Sequence, residues 1–302
     1  MQYPVTQRVK EYLRLIRLPN VFTTPSNILA GYFAAVTTTT TAAEADEVHL
    51  IALMVSSGLL YIAGIVLNDY FDIEIDKKER PSRPLPSGKI SKGSALTIAI
   101  VALLIANTIA LVVGPISLAL SLTLTLLIIA YDYQLKYTVI GPFAMGGTRF
   151  LNVIFGASPV LLYIDNHSVA IVGAAASSLF FYVSSITILS KKEVGNERPN
   201  STLVILIVFG VILAIAPLGV LLQLEWTFLL NLSIFAAVTI VTFRQYIAKE
   251  VPSVQKAVRN MVISIIILDS IFVTGTAGLP NGLATLLLIV PVVVLAKKLY
   301  VT

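Results

Sequence analysis

The chain has 302 residues, of which 57% are apolar and only 12% charged, and it contains no cysteine. With a mean hydropathy of +0.89, that composition excludes a disordered tail and speaks against a soluble globular enzyme. Without cysteine there is no disulfide framework, no thiolate metal site and no cysteine nucleophile.

The 21 basic and 16 acidic residues are clustered, leaving 18–43, 50–68, 93–131, 166–190, 199–224, 226–243 and 270–296 without any. About 20 apolar residues cross a bilayer core, whereas an amphipathic helix of a soluble protein needs a polar face. The fold expected is therefore an all-α polytopic membrane bundle. In chain order the spans fall near 15–36, 49–68, 94–113, 116–132, 141–163, 168–190, 201–223, 226–244, 258–276 and 282–298. Gly114-Pro115 splits one long run into a helical hairpin, and Gly278, Pro280, Asn281 and Gly282 break another. The fourth span is short, so the count is nine to ten.

Alternate connections differ in sign. Those at 37–48, 114–115, 164–167, 224–225 and 277–281 hold no Lys or Arg, but carry Glu44, Asp46, Glu47, Asp165 and Glu225. Every basic residue except Arg149 falls on the opposite side. Basic loops stay in the cytoplasm, which predicts a multi-pass protein of the cell membrane with both termini cytoplasmic. Anionic lipid, not nucleic acid, is the expected counter-charge for a pI of 9.3. The basic first 17 residues lead into a span rather than a cleavable signal. His49 and His167 lie in polar connections and are not expected to bind metal.

The second span closes on Asn68-Asp69-Tyr70-Phe71-Asp72-Ile73-Glu74-Ile75-Asp76. If the helix continues, Asn68, Asp72 and Asp76 share an arc of roughly 80°, with Asp69 just beyond it. Acids at this spacing repel, and a divalent cation would relieve them; all-oxygen ligation favours Mg2+, which also binds substrate phosphates. The alternative is a solvated acidic turn neutralised by Lys77, Lys78 and Arg80. The stiff stretch that follows holds Pro81, Pro84 and Pro86. Its Arg80, Arg83 and Lys89 could neutralise a metal-held phosphate or could simply mark a cytoplasmic loop.

Asn-Asp-x-x-Asp-x-x-x-Asp followed by Arg83-Pro84-x-Pro86-Ser87-Gly88 resembles the UbiA superfamily of intramembrane prenyltransferases. Arg17-Leu18-Pro19-Asn20, with Asn27 and Gly31, is similar to that family's first helix. The resemblance implies one domain over 1–302, a bundle around a central cavity, and active-site loops at about 68–93 and 190–200. It implies Mg2+-dependent prenyl transfer from an isoprenyl diphosphate to an aromatic, quinone-precursor or glycerol-lipid acceptor. Asn68, Asp72 and Asp76 would hold Mg2+ and diphosphate, supported by Asp69, and Lys136 would be a diphosphate ligand. Asn20, Arg80, Arg83, Lys89, Arg149 and Asn152 are candidate substrate contacts.

Two stretches depart from the family pattern. The second loop reads Lys191-Lys192-Glu193-Val194-Gly195-Asn196-Glu197, with no aspartate. Glu193 and Glu197 could bind the second metal, Lys191 and Lys192 could replace it as fixed charge, or catalysis could be lost. This stretch, with Tyr131-Asp132-Tyr133-Gln134-Leu135-Lys136, is similar to a divergent EboC-like branch. The second departure is Asp132, four residues before Lys136, where the family often has tyrosine.

Arg149 and Asn152 lie within the fifth span, where an arginine costs about 2.5–3.5 kcal/mol and so faces a cavity or snorkels. Asp269 is either a buried hydrogen-bonded acid or part of an acceptor pocket. Besides prenyl transfer, a non-catalytic isoprenoid-binding protein and a lipid transporter remain as readings. A CDP-alcohol phosphotransferase is disfavoured because no Asp-Gly-x-x-Ala-Arg element occurs.

Overall fold

The computed structural model describes residues 5–36, 46–190, 201–247 and 252–299, which form helices and connecting turns. An amphipathic first helix, α1 (Val5–Leu15), leads through a short α2 (Leu18–Val21) into α3 (Thr23–Val36). The first expected span is thus broken at its start. Arg17 makes the break in the left-handed region (φ 46, ψ 51), at a cost of roughly 1–2 kcal/mol for a residue with a Cβ.

α4 (Glu47–Phe71) is capped by Asp46, which accepts from the Val48 N–H at 3.0 Å, and is followed by α5 (Ile73–Glu79). After the proline-rich loop come α6 (Lys92–Val113) and α7 (Pro115–Tyr133), turned about Gly114 as the sequence suggests. α6 lies along α4 through a stripe of small buried residues, Ala95, Ala99, Ala102, Ala106 and Ala110. That close approach lets the Ser56 hydroxyl donate to the Ala106 carbonyl at 2.9 Å.

A 3-10 turn (Leu135–Tyr137) joins α7 to α8 (Gly141–Ala157), which is followed by α9 (Asn166–Ser190), α10 (Ser201–Leu221) and α11 (Phe228–Ile247). α12 (Pro252–Ala277), α13 (Leu279–Leu286) and α14 (Ile289–Leu299) complete the chain. Eight helical segments among the described residues are long and apolar enough to cross a membrane, with Leu279–Leu299 taken as one. The other two of the ten expected spans are α3 and α8, of 14 and 17 residues.

α12 is the central column, 72% buried, whereas α6 is 22% buried and turns side chains such as Leu104 and Ile105 outward. Apolar outer faces suit lipid, so packing rather than water exclusion decides which helices touch. The decisive contact for the site is α3 on α8. A Cβ on Gly31 would overlap the Val153 carbonyl oxygen, and one on Gly156 would overlap that of Ile28. Glycine at both positions brings the two backbones together and the polar residues of α3 and α8 into reach of each other.

Candidate active site

α4 does not run on through Asp76. It stops at Phe71, and Asp72 (φ −87, ψ 6) both ends it and starts α5. Asp72 N–H still donates to Asn68 O at 3.0 Å, and Asp76 N–H to Asp72 O at 2.8 Å. The resulting bend divides the three polar side chains expected on one arc, together with Asp69 just beyond it, into two groups with different partners.

Asp69 and Asp76 form the inner group, both buried. Asp69 accepts from Arg17 at 2.8 Å and from Arg83 at 3.2 Å, while Arg83 donates to Asp76 at 2.6 Å. Two of the metal-ligand candidates are therefore already neutralised by guanidinium groups. Arg83 comes from the proline-rich loop, which is anchored by buried Leu85 and Ile90 and by the Ile90 N–H to Pro84 O bond at 3.2 Å. Burial, joined by repulsion from Arg17, lowers the Arg83 pKa, and the two aspartates oppose that. Lys89 pairs with Glu11 of α1 at 3.1 Å, and Arg80 is half-buried beside Arg83.

The outer group centres on Asp72. Its Oδ1 lies 2.7 Å from the Lys136 ammonium, which is 8% exposed, and accepts from the Tyr137 hydroxyl at 2.5 Å. Withdrawal from water and the Asp72 carboxylate both raise the Tyr137 pKa, so the hydroxyl stays a donor. Beside Asp72, the Asn68 amide donates to Asp132 of α7 at 3.1 Å. Among the described residues, Asp72 Oδ2, Asp132 Oδ2 and Asn68 Oδ1 accept no hydrogen bond.

These oxygens fit Mg2+, which typically takes one or two carboxylates and completes its shell with water and substrate phosphate. They fit a shared metal better than an all-protein cage. Among the described residues no three His, Cys, Asp or Glu side chains are grouped to hold a metal by themselves. Lys191, Lys192, Glu193 and Glu197 lie outside the described residues.

Below this rim, a second polar cluster occupies the interior. Asn20 lies close to the Tyr61 side chain. Arg149, on α8, donates from Nη1 to Thr23 O at 3.3 Å and Asn27 Oδ1 at 3.0 Å, and from Nη2 to Thr23 Oγ1 at 3.2 Å. Its guanidinium also faces the Tyr61 ring, 5.5 Å from the centroid. Asn152 donates to Thr24 O at 3.2 Å and Asn27 Oδ1 at 3.3 Å and accepts from Ser57 at 2.8 Å. Asp269, fully buried on α12, accepts from Ser26 and from Asn27 at 2.6 Å. The in-span arginine is held by α3 rather than snorkelling to the surface.

The cluster and the rim share one face of α4. Ser57, Tyr61 and Asn68 are spaced i, i+4 and i+11, within about 40° of one another and roughly 16 Å along the axis. Sequence reasoning gave no role to Arg17, Tyr137, Asn27 or Tyr61. Arg17 stood in the Arg-Leu-Pro-Asn element and Tyr137 beside Lys136; Tyr61 carried no sequence signal, being one of many aromatics in an apolar run.

The family model described as the UbiA prenyltransferase family matches residues 26–266. A digeranylgeranylglyceryl phosphate synthase from Ignicoccus hospitalis is 32% identical over 158 residues, 52% of this chain and 46% of that protein. The chain spans about half the length of the curated relatives it matches. Its fold is similar to a UbiA homologue from Aeropyrum pernix, with a TM-score of 0.66 at 14% identity over 82% of this chain and 94% of that one. It is also similar to a UbiA homologue from Archaeoglobus fulgidus bound to DMAPP and Mg2+, with a TM-score of 0.51 at 14% identity over 95% and 99% of the two chains.

Proposed function

The chain belongs to the UbiA prenyltransferase family, and from that premise we propose that it transfers a prenyl group from an isoprenyl diphosphate to an acceptor within the membrane. The acceptor is a glycerol lipid or an aromatic quinone precursor, and the reaction depends on Mg2+. The whole chain acts as one transferase domain, oriented with both termini in the cytoplasm. The observation that carries this reading is Asp72. It lies at the C-terminal end of α4, whose residues 50–68 carry no charge, with Lys136 and Tyr137 against its Oδ1 and the Asn68–Asp132 hydrogen bond beside it.

Bond cleavage leaves an allylic carbocation and places the electron pair on the departing diphosphate. Lys136 is a desolvated cation positioned for that charge, and Tyr137 supplies an O–H donor beside it. Mg2+, when bound at Asn68, Asp72 and Asp132, supplies further charge stabilisation to the diphosphate. Arg80 offers a half-buried cation at the same rim. Arg17 and Arg83 tie Asp69 and Asp76 to the break between α1 and α2 and to the proline-rich loop. The uncharged helices exclude water, so the acceptor's nucleophilic atom captures the carbocation and then loses a proton.

Isoprenoid binding without transfer is the second reading, favoured by the pairing of Asp69 and Asp76 with arginines. Incubating the purified full chain with labelled isoprenyl diphosphates, Mg2+ and both acceptor classes separates the two. Prenylated product that disappears with EDTA supports transfer. Diphosphate that binds but is never released supports the second reading instead.

A further inference from the structure

α1 gathers its apolar residues on one face, and the protein covers only half of that face. Tyr12 and Leu15 belong to the cluster built from Val66, Ile73, Leu85 and Ile90. Val9 and Leu13, at i and i+4 on the other half, join no hydrophobic cluster among the described residues, and Val9 is 52% exposed. Lys10 and Arg14 form the next i, i+4 pair round the helix, beside this uncovered strip.

The depth of α1 is set by α14. Leu279–Leu299 is long enough to cross a bilayer, so the carbonyl of its last residue lies near head-group level. Arg14 Nε donates to that carbonyl at 3.0 Å. Its Nη1 reaches Glu11 at 3.3 Å, and its Nη2 has no acceptor among the described residues. Lys297 and Lys298, exposed in the last turn of α14, stand next to this contact. Glu11, the one acid in α1, is buried and already paired with Arg14 and Lys89. An apolar strip flanked by cations at this depth is the arrangement of a helix lying in the membrane surface, its apolar side among acyl chains and its cations among phosphates.

α1 is also joined to the rim of the site. Arg17, two residues beyond its end, donates to Asp69 at 2.8 Å. Lys89 of the proline-rich loop pairs with Glu11 at 3.1 Å, and Leu85 and Ile90 of that loop share a cluster with Leu15. Arg83 of the same loop reaches Asp69 and Asp76. A displacement of α1 would therefore carry the loop with it.

We propose that α1 and the end of α14 form a docking surface for anionic phospholipid head groups, and that seating there holds the proline-rich loop in place for the donor. Val9 and Leu13 enter the acyl region, while Lys10, Arg14, Lys297 and Lys298 meet the phosphates. The surface stands on its own geometry, and its effect on the donor rests on the prenyl-transfer reading.

Because the chain has no cysteine, one fluorophore can be attached at Val9→Cys or, on the polar side of α1, at Gln7→Cys. The full chain is reconstituted in phosphatidylcholine bilayers with or without phosphatidylglycerol, with brominated lipid chains and aqueous iodide as quenchers. Brominated lipid should quench the label at position 9, and iodide the label at position 7. Phosphatidylglycerol should raise lipid quenching at position 9 at least about twofold. Lys10→Gln, Lys297→Gln and Lys298→Gln together should raise the phosphatidylglycerol needed for half of that effect, by about fivefold per lysine at low salt. In the same bilayers phosphatidylglycerol should lower the KM for isoprenyl diphosphate several-fold in the wild type but not in the triple variant. Lipid quenching at position 9 that ignores phosphatidylglycerol overturns the proposal. So does a label there shielded from both quenchers, which would place a second copy or another protein on this face. Seating that leaves the donor KM unchanged would overturn the link to the loop. Anion-dependent seating in a chain without turnover in any bilayer would support the surface and count against the transfer reading.

Discussion

The Lys136 ammonium lies 2.7 Å from the Asp72 carboxylate and is only 8% exposed. The carboxylate offsets part of the cost of burying the ammonium, and a diphosphate arriving at Asp72 would meet that ammonium already in place. Replacing Lys136 with Gln should lower diphosphate release by about 100-fold or more, the scale seen when one donor to a developing anion is removed. Lys136→Arg should retain part of the rate. A glutamine variant with full turnover would remove Lys136 from the site.

The Tyr137 hydroxyl donates to Asp72, and its pKa is raised above the ordinary 10.0. A group with a raised folded pKa contributes below its ordinary value and loses that contribution only as pH passes the folded one. The activity profile should therefore show no tyrosine ionisation up to pH 10. Tyr137→Phe should reduce the rate about tenfold without changing the profile's shape. An alkaline limb near 10 that disappears in Tyr137→Phe would contradict the assignment.

Arg83 joins two buried acids, Asp69 and Asp76, whose side chains are 4% and 3% exposed. Arg83→Met strands both with fewer partners and should destabilise the protein by about 3 kcal/mol. In a double-mutant cycle with Asp76→Asn the two losses should be non-additive. Additive losses by thermal unfolding in detergent would show that the ion pair is not formed.

How much of this was readable in the chain differs between the helices and the site. Uncharged runs marked the spans, and Gly114-Pro115 marked the α6–α7 hairpin, because lipid forbids stranded polar backbone and strict patterning follows. The bend at Asp72 was not readable. No glycine or proline marks it, and it follows from partners distant in sequence: Arg17, Arg83, Lys136 and Tyr137. Asn68, Asp69, Asp72 and Asp76 could be picked out as a set from their spacing. Their division into an arginine-locked pair and an open pair could not, because spacing carries no information about which loop folds back. Asp269 was visible as an in-span acid, but its link to Arg149 needs the α3–α8 approach that Gly31 and Gly156 permit.

That approach yields its own test. Gly31→Ala or Gly156→Ala places a methyl group against backbone that cannot retreat without parting α3 from α8. Each should cost about 2 kcal/mol or more and loosen the Arg149–Asn27 contact between α8 and α3. A variant with an unchanged thermal midpoint would show that the helices are not held this closely.

The lack of native cysteine allows orientation to be read directly. Ser82→Cys and Asp165→Cys are both exposed positions. In oriented vesicles a membrane-impermeant thiol reagent should label the first only from the cytoplasmic side and the second only from the other. The reverse pattern would invert the topology.

The most direct measurement is diphosphate release from a labelled isoprenyl diphosphate by the purified chain in lipid, titrated with Mg2+, for the wild type and Asp72→Asn. The account predicts saturable, Mg2+-dependent release by the wild type and none by Asp72→Asn, with both proteins folded to the same thermal midpoint. Release that survives Asp72→Asn, or that needs no Mg2+, would contradict it.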